Sequence, residues 1–429
     1  MSENKTTTSR RAFLQKSSMF ALGSMAIPTI MKSSVLGLNG AISPNNKITL
    51  GYIGVGNKAQ RHIGFYVSNP AIQSLYICDV DRARLEKTHK VFKQQDQGDV
   101  KKVEHYEEVI NDPSVDAVLI ATPDHWHVSI AIAAMSQGKD VYVEKPVSLT
   151  IEEGKAIAEA EKRYGRIVQV GSQQRSDSTF HRAATLVRNG YIGEVKEIYV
   201  KLGSFPQPKL GEIEKIPEGF NYDKWLGQAP YEPYFKDRVR GIWNGGWRCF
   251  WEYGSRKNGD WGAHHFDIIQ WALGMDDSGP THFVPKGYNG EKYSYYTYDT
   301  GVKVIRDHPK SREMITFVGT EGTVEVSRAG ILKTSNSRLR NISFKLSDEN
   351  LYVSRDHGQN WIDSMYSRKQ TICPAAVGHR TASVCQLLGI AERLQRPVRW
   401  DPKIEQILGD EEAKRWMSRP RRAGYELPV

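Results

Sequence analysis

Between residues 47 and 170 the chain alternates short apolar runs with helical stretches, and this alternation restricts its fold more than any other feature. The runs fall at 47–53, 74–78, 117–121, 140–144 and 167–170. The helical stretches run from the glycine-rich turn at 54–59 to about residue 68, then at 82–92, 127–137 and 151–164. A continuous run such as Ala117-Val118-Leu119-Ile120-Ala121 suits a strand covered on both faces. The alternation predicts an α/β domain with a doubly wound parallel sheet. After about Gly171 the pattern changes. Residues 194–202, 314–318 and 322–326 read as strands, the last two joined at Gly319-Thr320-Glu321. This predicts a second, α+β domain with a mostly antiparallel open sheet. The expected organisation is an address and linker at 1–40, a Rossmann-type domain at 41–171, a second domain at 172–395 and a tail at 396–429 packing back on the protein.

The first strand ends in Gly54-Val55-Gly56-Asn57-Lys58-Ala59. Gly54 permits a tight turn, Gly56 lets the backbone approach a pyrophosphate, and Ala59 takes the small position where helix meets strand. The helix start, from Asn57, then offers free N–H groups to phosphate. Asp79 ends the next strand, where a carboxylate accepts ribose hydroxyls and repels a 2′-phosphate. This favours NAD over NADP. Arg82, three residues on, partly offsets that preference and keeps NADP possible. The structural alternative for Asp79 is a turn residue opening the next helix.

Loops at strand C-termini are where such sheets bind ligands. Thr122-Pro123-Asp124-His125-Trp126-His127 and Glu144-Lys145-Pro146 both sit there. Thr122, Pro123, His125, His127, Glu144 and Lys145 are therefore candidates for the cofactor side. The Lys145 ammonium is also placed to hold a substrate hydroxyl, although a surface lysine is the default reading of such a tripeptide. Gln174 and Arg175 follow the last strand and are candidate substrate contacts; Arg175 either binds substrate oxygens or pairs with a carboxylate. In Asp260-Trp261-Gly262-Ala263-His264-His265-Phe266-Asp267, Asp260 and His264 are four apart and share a face if the segment is helical. His265 would be turned about 100° away. A histidine suits removal of an alcohol proton, with Asp260 orienting it. Asp267 contacts substrate or supports the helix start. Adjacent histidines do not share a helix face, so no metal is expected. Cys78, Cys249, Cys373 and Cys385 lack close metal-ligand spacing and are expected as buried thiols, a Cys373–Cys385 bridge being the alternative in an oxidising compartment.

Taken in order, Gly54-Val55-Gly56, the Thr122-Pro123 loop, Glu144-Lys145-Pro146 with Val147-Ser148-Leu149-Thr150, and Asn189-Gly190-Tyr191-Ile192-Gly193-Glu194-Val195 resemble the Gfo/Idh/MocA oxidoreductases. The resemblance implies hydride transfer between NAD(P) and a sugar, glycoside or polyol, with His264 as base and Lys145 as its partner. It also implies a second-domain sheet serving as an oligomer interface, hence a homodimer or homotetramer.

Ser9-Arg10-Arg11-Ala12-Phe13-Leu14-Gln15-Lys16 resembles a twin-arginine export signal. The apolar stretch at 19–27 is about half the length needed to span a bilayer. A periplasmic or otherwise exported protein without a stable membrane anchor is expected. The formal charge of +10 comes from basic residues interleaved with acidic ones, with one cluster at Lys414, Arg415, Arg419, Arg421 and Arg422. No nucleic-acid motif accompanies it, so a solvated basic surface is expected. Export favours a tightly held cofactor, since soluble NAD is not expected to be supplied outside the cytoplasm. It leaves open a redox-neutral glycoside hydrolase or lyase working through a transient keto-sugar. A catalytically inactive sugar-binding protein is the third reading, against which the intact Lys145, Asp260 and His264 set argues. The aromatic-rich segment 205–260 is expected to cover substrate or to form an interface.

Overall fold

The computed structural model describes residues 46–95, 99–243 and 245–428. The twin-arginine stretch and the apolar run after it lie outside them.

The first layer alternates β1 (Ile48–Ile53), α1 (Asn57–Val67), β2 (Ile72–Cys78), α2 (Arg82–Gln94), β3 (Lys101–Val103), α3 (Tyr106–Asn111), β4 (Ala117–Ile120), α4 (His127–Ser136), β5 (Asp140–Val143), α5 (Ile151–Tyr164) and β6 (Val168–Val170). The six strands form one parallel sheet in the order β3-β2-β1-β4-β5-β6. β1 and β4 are neighbours although two strands separate them in sequence, which opens a crevice above their C-terminal ends. β4 and β5 are buried at every residue, as their unbroken apolar runs require. Thr150 and Glu153 start α5 with a reciprocal capping box, and Gly165 ends it in the left-handed region. The short β3 and α3 were not expected; only three residues of β3 pair, too few to leave an alternating pattern.

The second part carries α6 (Ser178–Arg188), β7 (Val195–Val200), α7 (Tyr222–Leu226), α8 (Lys236–Val239), α9 (Arg256–Asp260) and α10 (Gly262–Leu273). Beyond these come β8 (His282–Val284), β9 (Tyr295–Thr297), β10 (Lys303–Arg306), β11 (Ile315–Gly319), β12 (Thr323–Ser327) and β13 (Ile331–Thr334). The chain ends with α11 (His357–Ser367), α12 (Ala375–Leu394), β14 (Val398–Asp401), β15 (Gln406–Ile407) and α13 (Glu411–Arg415). Among the described residues the strands make one sheet, β13-β12-β11-β7-β10-β9-β8-β14-β15, antiparallel except for β7 with β10. The long α12 packs on α5 and on α10, so both sheets share one apolar core. His379 of α12 is buried, with Nε2 2.6 Å from Glu405. All four cysteines are buried and free.

Arg175, a candidate substrate contact, belongs to this junction instead. It follows β6 and is 1% exposed. Its Nε donates to both oxygens of Asp267 in α10, at 3.0 and 2.9 Å, and its two terminal nitrogens reach Asp276 at 2.9 and 2.7 Å. Asp267 is 0% exposed and also accepts from Thr381 of α12. Neither Arg175 nor Asp267 lines the crevice. A buried guanidinium needs its charge and donors matched, and the two carboxylates do that work here. The C-terminal basic cluster is likewise partly spent on carboxylates: Arg421 on Glu153, Arg422 on Asp223 and Lys414 on Glu411.

Arg175→Met strands Asp267 without a counter-charge and is expected to cost about 3–5 kcal/mol, read as a drop in the denaturant midpoint. Asp276→Asn, at the half-open end of the network, is expected to cost markedly less.

Candidate active site

A continuous cleft of about 840 Å³ runs over the C-terminal ends of the parallel strands. One end is the glycine turn. Gly54 has φ +80°, and a Cβ there would sit 2.8 Å from the Thr122 backbone nitrogen. A side chain at Gly56 would meet the Arg84 guanidinium at 2.9 Å. Gly56 is also the N-cap of α1, with no side chain capping the helix and no acidic residue in its first turn. The helix start is therefore open to an anion. Ala59, fully buried, packs beneath. Asp79 accepts from Val55 N at 2.9 Å and from Asp81 N at 3.0 Å, so its carboxylate fixes the turn. Burial pushes its pKa up, against the opposing pull of Arg84 and the two N–H donors. Together the glycine cradle, the uncapped helix and the carboxylate fit a dinucleotide.

Arg82 is exposed and does not reach this end. Arg84 takes the place expected of it, because Asp81 caps α2 and draws the Arg84 guanidinium back to 3.1 Å from its own carboxylate. Thr122 and Pro123 line the cleft floor. His127 lies beneath them, its ring nitrogens 2.8 Å from Pro146 O and 3.0 Å from Thr122 O, which ties the two loops together. Glu144 lines the cleft, yet its oxygens are committed to His62 at 2.7 Å, Gln173 at 3.1 Å and Lys58 at 3.2 Å. His125 does not line the cleft. It is buried against the rings of Trp225 and Tyr253, with Nε2 3.0 Å from Trp225 O. Burial pushes its pKa down to about 3, so it is a neutral packing residue.

At the other end stand Lys145, Asp260, His264 and Gln174. Lys145 follows β5, and its Nζ donates to Asp260 Oδ1 at 2.5 Å and to Asp260 O at 3.0 Å. Asp260 closes α9 while His264 lies in α10, with Trp261 between the two helices. The partner of Asp260 is thus Lys145, and no hydrogen bond to His264 forms. Burial opposes ionisation of Asp260, but Lys145 and Arg248 outweigh it and hold the group below the usual carboxylate range. His264 is 6% exposed. Burial, then Lys145 and Arg328, hold its pKa well below 6.5, so the ring is neutral near neutral pH. Its Nδ1 is buried without a partner. Gln174, with its amide turned to satisfy both neighbours, donates to His264 O at 3.0 Å and accepts from Arg328 Nε at 3.3 Å.

Segment 205–260 forms the outer wall. Asn57 of the glycine turn donates to Gly241 O at 3.0 Å. Arg82 N donates to Gly219 O and Asn221 N to Val80 O, both at 2.9 Å, and Asp81 bridges to Phe220. Behind these contacts Tyr222, Trp225, Tyr234, Phe235, Trp247 and Tyr253 pack as a second apolar core. The segment is a strap across the cleft. Lys58, Arg84, Asp124, Arg248, Lys257 and Arg328 also line the cleft, and sequence reading did not single them out. Lys58 and Asp124 lay inside quoted motifs; Arg328 sits on a distant hairpin with no local signal.

Residues 48–172 match the NAD-binding Rossmann fold of the Gfo/Idh/MocA oxidoreductases, and residues 206–427 match their C-terminal alpha/beta domain. The chain is 44% identical over 94 residues to scyllo-inositol 2-dehydrogenase (NAD(+)) of Bacillus subtilis, covering 22% of this chain and 27% of that protein. It is 26% identical over 204 residues to a glycosyl hydrolase family 109 protein of Shewanella pealeana, covering 43% and 44%. These curated relatives are thus matched over about a quarter to under half of their lengths. In structure it resembles the WlbA dehydrogenase of Bordetella pertussis, solved with NADH and UDP-GlcNAcA, at TM-score 0.60 and 17% identity over 82% of this chain and 98% of that one.

Gly54→Ala is expected to abolish nucleotide binding, since a Cβ collides with backbone that cannot move away and φ +80° is strained for alanine. Nucleotide released from purified variant and parent on denaturation measures this.

Proposed function

The chain belongs to the Gfo/Idh/MocA oxidoreductase family, and within it we propose a dehydrogenase that oxidises a hydroxyl carbon of a sugar, glycoside or polyol with retained NAD. One observation carries the proposal. The dinucleotide cradle and the Lys145–Asp260–His264 group occupy a single cleft. When bound, NAD supplies the acceptor for hydride from the alcohol carbon.

The chain's own residues do the rest. Asp260 holds the Lys145 ammonium from both its side chain and its backbone, leaving the third N–H direction for the substrate oxygen. That donation offsets the negative charge growing on the oxygen as its proton leaves. The neutral His264 takes the proton, at Nε2, since Nδ1 faces the protein interior. Gln174 holds the backbone at His264. The strap excludes water from the cofactor end and restrains release of the nucleotide. Retention agrees with the twin-arginine motif, which points to export.

A second reading is favoured by the likeness to the glycosyl hydrolase family 109 protein. There the hydride returns to the same substrate after a neighbouring group has left, giving net cleavage. Mixing purified protein with candidate sugars separates the two. Net growth of reduced-nicotinamide absorbance supports the dehydrogenase, and glycoside cleavage without it supports the second reading. Protein that neither carries nor binds nucleotide sinks both.

Lys145→Met is expected to lower kcat/KM by about 100-fold or more. Protonation of His264 removes the base as pH falls, and its pKa lies well below 6.5. The acid limb of kcat/KM in the parent is therefore expected below pH 6.5. In Lys145→Met the loss of a neighbouring cation should move the residual limb to higher pH.

A further inference from the structure

The substrate end of the cleft holds more cationic side chains than its carboxylates can match. Arg328 reaches in from the turn after β12, and its guanidinium lies 4.7 Å from the centre of the Trp261 ring. Lys257 of α9 lies over the same ring, with Nζ 5.5 Å from its centre. Neither forms an ion pair among the described residues. Arg248 approaches Asp260 only to 3.9 Å.

The carboxylates nearby make no direct ion pair with Arg328 or Lys257, although Asp260 and Asp177 favour the Arg328 cation through space. Asp260 is bound to Lys145. Glu144 is bound to His62 and Lys58. Asp177 caps α6 through Thr179 N at 2.8 Å. Asp124 faces the cleft, but burial pushes its pKa up to about 8, so at neutral pH it is mostly protonated. Phosphates of a dinucleotide would be held at the uncapped start of α1, at the other end of the cleft, and would leave these cations unmatched. Arg328 is exposed and Lys257 half-buried, and Asp260 and Asp177 act on Arg328 only through space; an anionic group on a ligand in the cleft would give both cations a direct partner. Arg328 has its Nε on Gln174, which leaves its terminal nitrogens as a fork for an oxyanion.

We propose that the substrate is an anionic sugar or polyol, bearing a carboxylate or phosphate group that Arg328 and Lys257 receive beside Trp261 while Lys145 and His264 address its hydroxyl. This rests on reading the cleft as a dehydrogenase site and deepens it to a substrate class.

The test titrates NAD-loaded full-length protein, by tryptophan fluorescence, with glucose, glucuronate and glucose 6-phosphate, and with the neutral and acidic forms of galactose. Reduced nicotinamide is followed in the same samples. An anionic form is expected to bind about 10-fold or more tightly than its neutral parent. Added salt should erode the preference. Arg328→Gln and Lys257→Gln should each shrink it, and Arg328→Lys should restore part of it. A tighter glucuronate identifies a carboxylate site, and a tighter glucose 6-phosphate a phosphate site. The proposal is overturned if no acidic form outcompetes its neutral parent, or if the preference survives intact in both glutamine variants. Preference for the acids with no nicotinamide reduced by any sugar contradicts the dehydrogenase reading and leaves the anion subsite standing.

Discussion

An ammonium group nearly withdrawn from water must find a counter-charge, and Lys145 finds one only in the other half of the molecule. Its stem leaves the end of a parallel strand, and its charge ends on Asp260 at the junction of two helices more than a hundred residues later. That contact fixes where the second part of the chain meets the crevice. His264, one helical turn beyond Asp260, is set against the same ammonium. Arg175 with Asp267 and Asp276 works the same way deeper in the junction, as an ion-pair network without access to the cleft. One polar tie positions chemistry and the other positions the helix that carries it.

What was legible in the sequence was local. The glycine turn, the buried strands and Asp79 announce themselves through residue types whose meaning depends on near neighbours, whereas Lys145 and His264 stand out mainly through the family resemblance. The parallel sheet, and a second sheet that is mostly antiparallel, follow from periodicity. Errors arose where a side chain's partner lies far along the chain. Arg175 sits at a strand end, as a ligand-binding residue would, but nothing local reveals the two aspartates waiting for it. Arg82 and Arg84 differ only in their rotation about a helix, and the capping by Asp81 decides which one turns toward the cleft. Asp260 and His264 have the spacing of helical neighbours, yet the helix is interrupted between them and the Asp260 carboxylate turns to Lys145.

Arg328 and Lys257 show the limit most clearly. Neither belongs to a motif, and they are separated by 70 residues of chain that build most of a sheet. Only the folded hairpin after β12 brings them to one indole ring. The aromatic segment is readable as functional from composition alone, but its contact with the glycine turn, through the Asn57 side chain and Gly241 O, leaves no local mark in the sequence.

Those contacts also set an order in time. The glycine cradle and Asp79 lie within 26 residues of each other, whereas the strap's bond to Asn57 spans 184. A chain emerging from the ribosome completes the cradle long before its cover exists. The cover is thus assembled from contacts of far longer sequence separation than the cradle it lies over.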